Sequence, residues 1–145
     1  MGEIREIGAG ATKLGARAML ELRPRWETTD AIVDIIDTRL RPLGYRLMGV
    51  FDGSADEALS VMGFRESFTS AWGRHIYVDD LSTLPRARGR GYGDALIGWV
   101  KDEAKRLGCE AVHLDSGVNA NRAPAHRLYM RNRFAITSHH FAVEV

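Results

Sequence analysis

The stretch Leu81-Ser82-Thr83-Leu84-Pro85-Arg86-Ala87-Arg88-Gly89-Arg90-Gly91-Tyr92-Gly93-Asp94-Ala95-Leu96 runs from a strand, through a glycine- and arginine-rich turn, into the first turn of an amphipathic helix. Chemically it is an anion site. Glycines let backbone N–H groups approach a ligand closely, and the unpaired N–H groups of a helix start favour phosphate. Three phosphate-binding strings compete for it. No G-x-x-x-x-G-K-[ST] occurs in the chain. A G-x-G-x-x-G reading from Gly89 and Gly91 puts its third glycine on Asp94, so a dinucleotide fingerprint fails. The string that fits is [RQ]-x-x-G-x-[GA], as Arg88-x-x-Gly91-x-Gly93.

The elements around this turn follow from periodicity. After it, Gly91–Leu107 is a helix with Leu96, Ile97, Val100, Ala104 and Leu107 on one face, Lys105 and Arg106 in its last turn, and Gly108 as its stop. Ala111–Asp115 reads as a strand, Pro124 opens a helix running to about Asn132, and Phe134–Val145 reads as a final strand. Before the turn, the period is two: strands at Tyr45–Phe51, Ala58–Thr69 and Arg74–Thr83 form an antiparallel meander, with a turn at Asp52-Gly53 extended by Ser54–Asp56. Farther upstream, Ile4–Ile7 is a short strand and Lys13–Leu22 a helix. A second helix, capped by Thr29 or Asp30, runs to about Leu40 with Ile32, Ile35 and Ile36 in its stripe. The order β-α-α-β-β-β-α-β-α-β predicts an α/β fold: a mixed, mostly antiparallel sheet flanked by about four helices.

Composition bounds the rest. A chain of 145 residues predicts one domain. With 45% apolar and 27% charged residues it is expected to fold rather than stay disordered. Twenty basic against 19 acidic residues leave a net charge of +1, too little for nucleic-acid binding by bulk charge. Cys109 is the single cysteine, which excludes an internal disulfide framework and accords with a reducing, cytoplasmic setting. No apolar run is long enough to span a bilayer, Met1–Gly10 has no signal-peptide pattern, and Glu6 stands where a myristoylation motif needs Ser or Thr.

A second string completes the pattern. Ala125-His126-Arg127-Leu128-Tyr129, with Phe134 following, matches A-x-x-L-Y-x-x-x-G-F, and one helix and one strand separate it from the turn. The two strings together resemble those of the GCN5-related N-acetyltransferase (GNAT) superfamily, and the order of elements agrees over nearly the whole chain. The resemblance implies transfer of an acetyl group from acetyl-CoA to a primary amine by direct attack in a ternary complex, with no metal. It places the backbone of Leu81, Ser82 and Thr83 along the pantetheine arm. Arg88, Gly89, Arg90, Gly91, Tyr92, Gly93 and Asp94 fall around the pyrophosphate. The cofactor would fill a gap between the strand bearing Leu81 and the strand Ala111–Asp115. Arg122 and Ala125, at the start of the following helix, are further cofactor contacts, and Tyr129 matches the family's acid. A phenol suits that role because its pKa lies near that of a thiol.

The chain departs from the family at several points. Tyr77 stands where some members carry a basic glutamate. Asp79, two residues on and on the same strand face, is the first candidate base; His75 on that face is the second, and Asp80 is expected on the opposite face. Arg122 replaces a frequent Asn, with Asn119 and Asn121 upstream, and Arg133 replaces the glycine before Phe134. About 11 residues follow Phe134, room for one strand where the family has two. The acceptor pocket is then either open on that side or completed by a second subunit, a homodimer. Phe64, Phe68 and Trp72 are candidates to border that pocket, and Trp99 reads as core or pocket wall. Cys109 is a small hydrophobe. His139-His140, being adjacent on a strand, face opposite sides and do not chelate one ion. A coenzyme A-binding module without turnover is the rival reading. A nucleic-acid contact through Arg86, Arg88 and Arg90 is disfavoured because no aromatic residues interleave them as in a base-stacking surface. No membrane partner is expected.

Overall fold

The computed structural model describes residues 2–53 and 56–145; part of the turn expected at Ser54–Asp56 lies outside the described residues. Five strands, β1 (Glu3–Glu6), β2 (Arg46–Phe51), β3 (Ser60–Thr69), β4 (Gly73–Thr83) and β5 (Ala111–Leu114), form one sheet in the order β1-β2-β3-β4-β5. All neighbours are antiparallel except β4 and β5, which are parallel. That parallel pair requires a crossover, supplied by α3 (Tyr92–Arg106).

Helix α3 covers one face of the sheet with Leu96, Ile97 and Val100, all fully buried. Phe64 of β3 packs under it against Trp99 at 5.8 Å. The other face carries α1 (Ala16–Leu22) and α2 (Thr29–Ile35), whose Ala18, Met19 and Ile32 are buried with Leu47 and Val61. Thr28 caps α2, one residue earlier than expected, by accepting a hydrogen bond from the Ala31 N–H at 3.1 Å. The chain stays helical to Leu40, but its last turn, Ile36–Leu40, widens to a π turn. The first expected helix likewise opens with a 3-10 turn over Thr12–Gly15.

Two corrections matter for the site. Strands β3 and β4 slip register between Gly63 and Phe64: Gly63 pairs with Asp80, but Phe64 pairs with Val78, leaving Asp79 as a bulge. The bulge turns Asp80 toward the α1 side, where it meets Tyr45 and Arg23. Asp79 meets Arg65, two residues along β3 from Gly63 and so on that same side. Asp79 and Asp80 are therefore not on opposite faces, because strand alternation does not survive an extra residue.

The second correction concerns the final strand. Residues 135–145 form no strand and join no ladder with the described residues; every one of them is exposed. Only Phe141, Val143 and Val145 alternate, and the polar run Thr137-Ser138-His139-His140 has no apolar face to bury. Before it, α4 (Ala123–Arg131) ends where expected, and Phe134 packs edge-on against Tyr129 at 5.9 Å. Arg133 itself adopts the left-handed conformation, φ +70°, that the family gives to glycine.

Candidate active site

The ladder between β4 and β5 runs from His75 opposite Ala111 to Val78 opposite Leu114 and stops there. Beyond it β4 continues from Asp79 to Thr83, paired with β3 on one side only. Among the described residues, no strand meets its other edge. A cavity of about 1190 Å³ opens at this fork. Its walls are β4 from Val78 to Thr83, the turn and start of α3, the end of β5 with Ser116 and Gly117, and the inward side of α4. Leu22, Arg23 and Pro24, at the end of α1, close one end.

Leu81, Ser82 and Thr83 line this cavity, as do Arg88, Gly89, Gly91, Tyr92, Gly93, Asp94, Arg122 and Ala125. Arg90 is exposed and lies outside the lining. Gly91 is the residue before α3 and has φ +82°, with no side chain capping the helix. The first N–H groups of a 15-residue helix are therefore left for a ligand. Gly93 acts differently: a Cβ there would come 3.1 Å from Leu128 Cδ2, so its absence gives the Leu128 side chain of α4 room against α3. The Asp94 carboxylate is neutralised by its neighbours. Arg131 donates to both its oxygens, at 3.0 and 2.8 Å, and Asn132 donates at 2.8 Å, which holds its carboxyl below the usual range. The Tyr92 hydroxyl donates to Asp52 Oδ2 at 2.9 Å, anchoring the helix start to the end of β2.

Tyr129 reaches the cavity from α4 and is 8% exposed. Burial pushes its phenol up from the usual value, and the Arg122 guanidinium beside it opposes the shift. Arg122 thus stands next to the expected acid. Asp79 also lines the cavity, but Arg65 holds both its oxygens in a fork at 2.7 and 2.8 Å. Asp80 accepts from the Tyr45 hydroxyl at 2.7 Å and from Arg23 at 2.9 Å. The Tyr45 ring reaches it across Gly63, where a Cβ would overlap that ring.

His75 is not brought to the cavity. It is 2% exposed, its Nδ1 lies 3.0 Å from the Gly73 carbonyl, and Trp72 and His113 cover it. The three aromatic residues expected at the acceptor pocket are elsewhere too. Phe64 is core, Phe68 is exposed, and Trp72 stacks on His113 at 3.8 Å. Cys109 is half-buried between α3 and β5, and burial raises its thiol pKa, which suits packing rather than nucleophilic attack. Sequence reasoning missed Arg23, Tyr45, Arg65 and Asp115. Arg23-Pro24 marks only a helix break in sequence, and no local signal joins Arg65 to Asp79 across a bulge.

One buried polar atom has no partner among the described residues: the Ser116 hydroxyl, in the cavity wall at the end of β5. A buried hydroxyl without a partner is costly, and a ligand seated in the fork would supply one. The free edge of β4, this hydroxyl and the helix start together fit an extended ligand ending in phosphate.

Residues 15–134 match the sequence profile of the Acetyltransferase (GNAT) family. An uncharacterized N-acetyltransferase of Bacillus subtilis (strain 168), YhdJ, is 30% identical over 124 residues, 85% of this chain and 84% of that one. An aminoalkylphosphonate N-acetyltransferase of Salmonella typhimurium (strain LT2) is 35% identical over 57 residues, covering 39% of this chain and 36% of its own length. An integron cassette protein from the mobile metagenome of V. cholerae shares the fold, with a TM-score of 0.83 at 14% identity over 99% of this chain and 93% of that one. The profile match over most of the chain and the relative at 30% identity agree, and the chain belongs to the GNAT acetyltransferase family.

Proposed function

We propose that this acetyltransferase moves an acetyl group from acetyl-CoA to the nitrogen of a primary amine, by direct attack with both substrates bound. The observation that carries the reading is continuity. One cavity joins an unpaired strand edge at Asp79–Thr83, an anion cradle at Gly89–Gly93 and the buried phenol of Tyr129. The strand edge suits the amides of a pantetheine arm, which would extend β4 as an added strand does. The cradle, flanked by Arg88, suits the pyrophosphate. When bound, the cofactor supplies an activated thioester. The chain supplies placement and a proton: Tyr129, kept protonated by burial, gives its proton to the departing thiolate. Both curated relatives are named as N-acetyltransferases, which supports nitrogen as the acceptor atom.

Arg86 and Arg88 are paired with Glu57 at 3.0 Å and Glu21 at 3.4 Å, which supports leaving nucleic acid out of the reading. Among the described residues, no helix is long and apolar enough to cross a membrane. The test is calorimetric titration with acetyl-CoA and coenzyme A, with duplex DNA as control, followed by thiol release across an amine panel. The panel includes an aminoalkylphosphonate, a polyamine, an aminoglycoside and lysine peptides. Micromolar cofactor binding and amine-dependent thiol release are expected. Binding without release from any amine would leave a coenzyme A-binding module, and no binding to folded protein would remove the cofactor assignment.

A further inference from the structure

Among the described residues, five carboxylates line the cavity: Glu21, Asp79, Asp80, Asp94 and Asp115. Arginines hold the first four, at 3.4, 2.7, 2.8 and 2.8 Å. Asp115 meets no arginine or lysine among the described residues. Its contacts are the Tyr77 hydroxyl, which donates to Oδ2 at 2.6 Å, and His140 Nδ1, which lies 3.1 Å from that same oxygen. Oδ1 has no partner among the described residues, and the side chain is 52% exposed. Its place in the fold is equally particular. The β4–β5 ladder ends at Val78 and Leu114, so Asp115 is the first residue past the vertex of the fork. The free edge of β4 leads from Thr83, beside the glycine turn, back to Asp79 at that vertex. Ser116 follows Asp115, with its hydroxyl buried in the cavity wall and unpartnered.

We propose that Asp115 docks the acceptor by its ammonium group, and that the acceptor is accordingly an alkyl amine that arrives protonated. The proposal rests on the acetyl-transfer reading above. A carboxylate without a counter-charge, set in a cleft, attracts a cation from solvent. The four arginine-held carboxylates do not, because their charge is already matched; Asp79 has both oxygens occupied. An alkyl ammonium like that of lysine has a pKa of about 10 and is charged at neutral pH. Its hydrogen bond to a carboxylate is charge-assisted, roughly twice as strong as one between neutral groups. A weakly basic aryl amine arrives neutral and forms only the weaker bond. Oδ1 accepts an N–H from the ammonium and from the free amine alike, so the contact keeps the nitrogen at the vertex when its proton has left. The unpartnered Ser116 hydroxyl, one residue on, marks the same wall as one that meets a ligand.

The first experiment measures kcat and KM for the alkyl amine of the panel that gives the fastest thiol release, in the intact chain, Asp115→Asn and Asp115→Glu. Coenzyme A affinity is measured on each by calorimetry. In Asp115→Asn the amine KM should rise by about 10- to 100-fold, with kcat at saturating amine moving far less. Asp115→Glu keeps the charge and should recover part of the loss. Coenzyme A affinity should stay within about twofold of the intact chain in both variants, a margin far below the tenfold that one lost charge-assisted bond would produce. An amine KM unchanged in Asp115→Asn, or a loss confined to kcat, overturns the proposal. The second experiment needs no turnover. Propylammonium chloride is titrated into the coenzyme A-loaded protein and followed by nuclear magnetic resonance, with propan-1-ol as the neutral control. Saturable shifts at the Asp115 and Ser116 amides are expected with the ammonium alone, and their loss in Asp115→Asn. No shift in the intact chain, equal shifts with the alcohol, or shifts that survive in Asp115→Asn overturn the site. If the intact chain binds coenzyme A but acetylates no amine, the acetyl-transfer reading fails, whereas the titration still decides whether Asp115 holds an ammonium.

Discussion

A phenol becomes a useful acid only where its proton is held until a thiolate appears beside it. Tyr129 meets that condition through burial, which keeps it neutral, and through Arg122, whose charge lies close enough to steady a transient phenolate. Tyr129→Phe removes the proton and little volume. Turnover should fall by about 100-fold with cofactor affinity within twofold of the parent, checked by thiol release and calorimetry on one preparation. Unchanged turnover would hand the acid role to water. Tyr129 was legible in the sequence because Ala125 and Leu128 form a string with it. Asp79 was legible as a residue but not as a partner: the bulge that gives it to Arg65 leaves no trace in local periodicity. Arg122, read as a possible cofactor contact, turned out to stand beside the phenol, a relation set by the turn before α4 rather than by spacing.

At the level of elements, α3 and its preceding turn were readable in full, since helix period, glycine placement and terminal charges all point one way. The last segment was not. Its alternation at Phe141, Val143 and Val145 satisfies the pattern of a strand, but a pattern supplies no neighbour to pair with. The two glycines at the start of α3 separate local conformation from packing. A Cβ at Gly91 would meet no atom within 4 Å, yet its φ of +82° disfavours any side chain. Gly91→Ala should therefore cost about 1–2 kcal/mol through the backbone, and coenzyme A affinity should fall at least tenfold as the first turn reorients. Gly93→Val should instead drive α4 off α3 through Leu128, and lower stability and Tyr129-dependent turnover together. Chemical denaturation beside calorimetry distinguishes them. Equal effects of the two substitutions on affinity and stability would mean that the turn is not a separate anion cradle.

For the whole molecule, the fork in the sheet is an opening that folding leaves unfilled. The β4 edge from Asp79 to Thr83 has hydrogen-bonding groups on one side without a strand, Ser116 has a hydroxyl without a partner, and α3 has an uncapped start. Each is a cost borne by the free protein and removed by the right ligand, so binding and stability are linked. With coenzyme A at about 100 times its dissociation constant, the linkage amounts to about 2.7 kcal/mol. For a chain of 145 residues this corresponds to a rise in Tm of roughly 5–11 °C. Hydrogen exchange should show where that stabilisation resides. Protection should increase at amides of Asp79–Thr83 and of Gly91–Asp94, and should change little in β1 and β2, which lie at the far edge of the sheet. A thermal shift of the expected size with protection spread evenly over all five strands would mean that the ligand stabilises the fold as a unit. The fork would then be an ordinary surface cleft. Protection concentrated at the fork would mean that the sheet is built incomplete and that the cofactor acts as its missing strand.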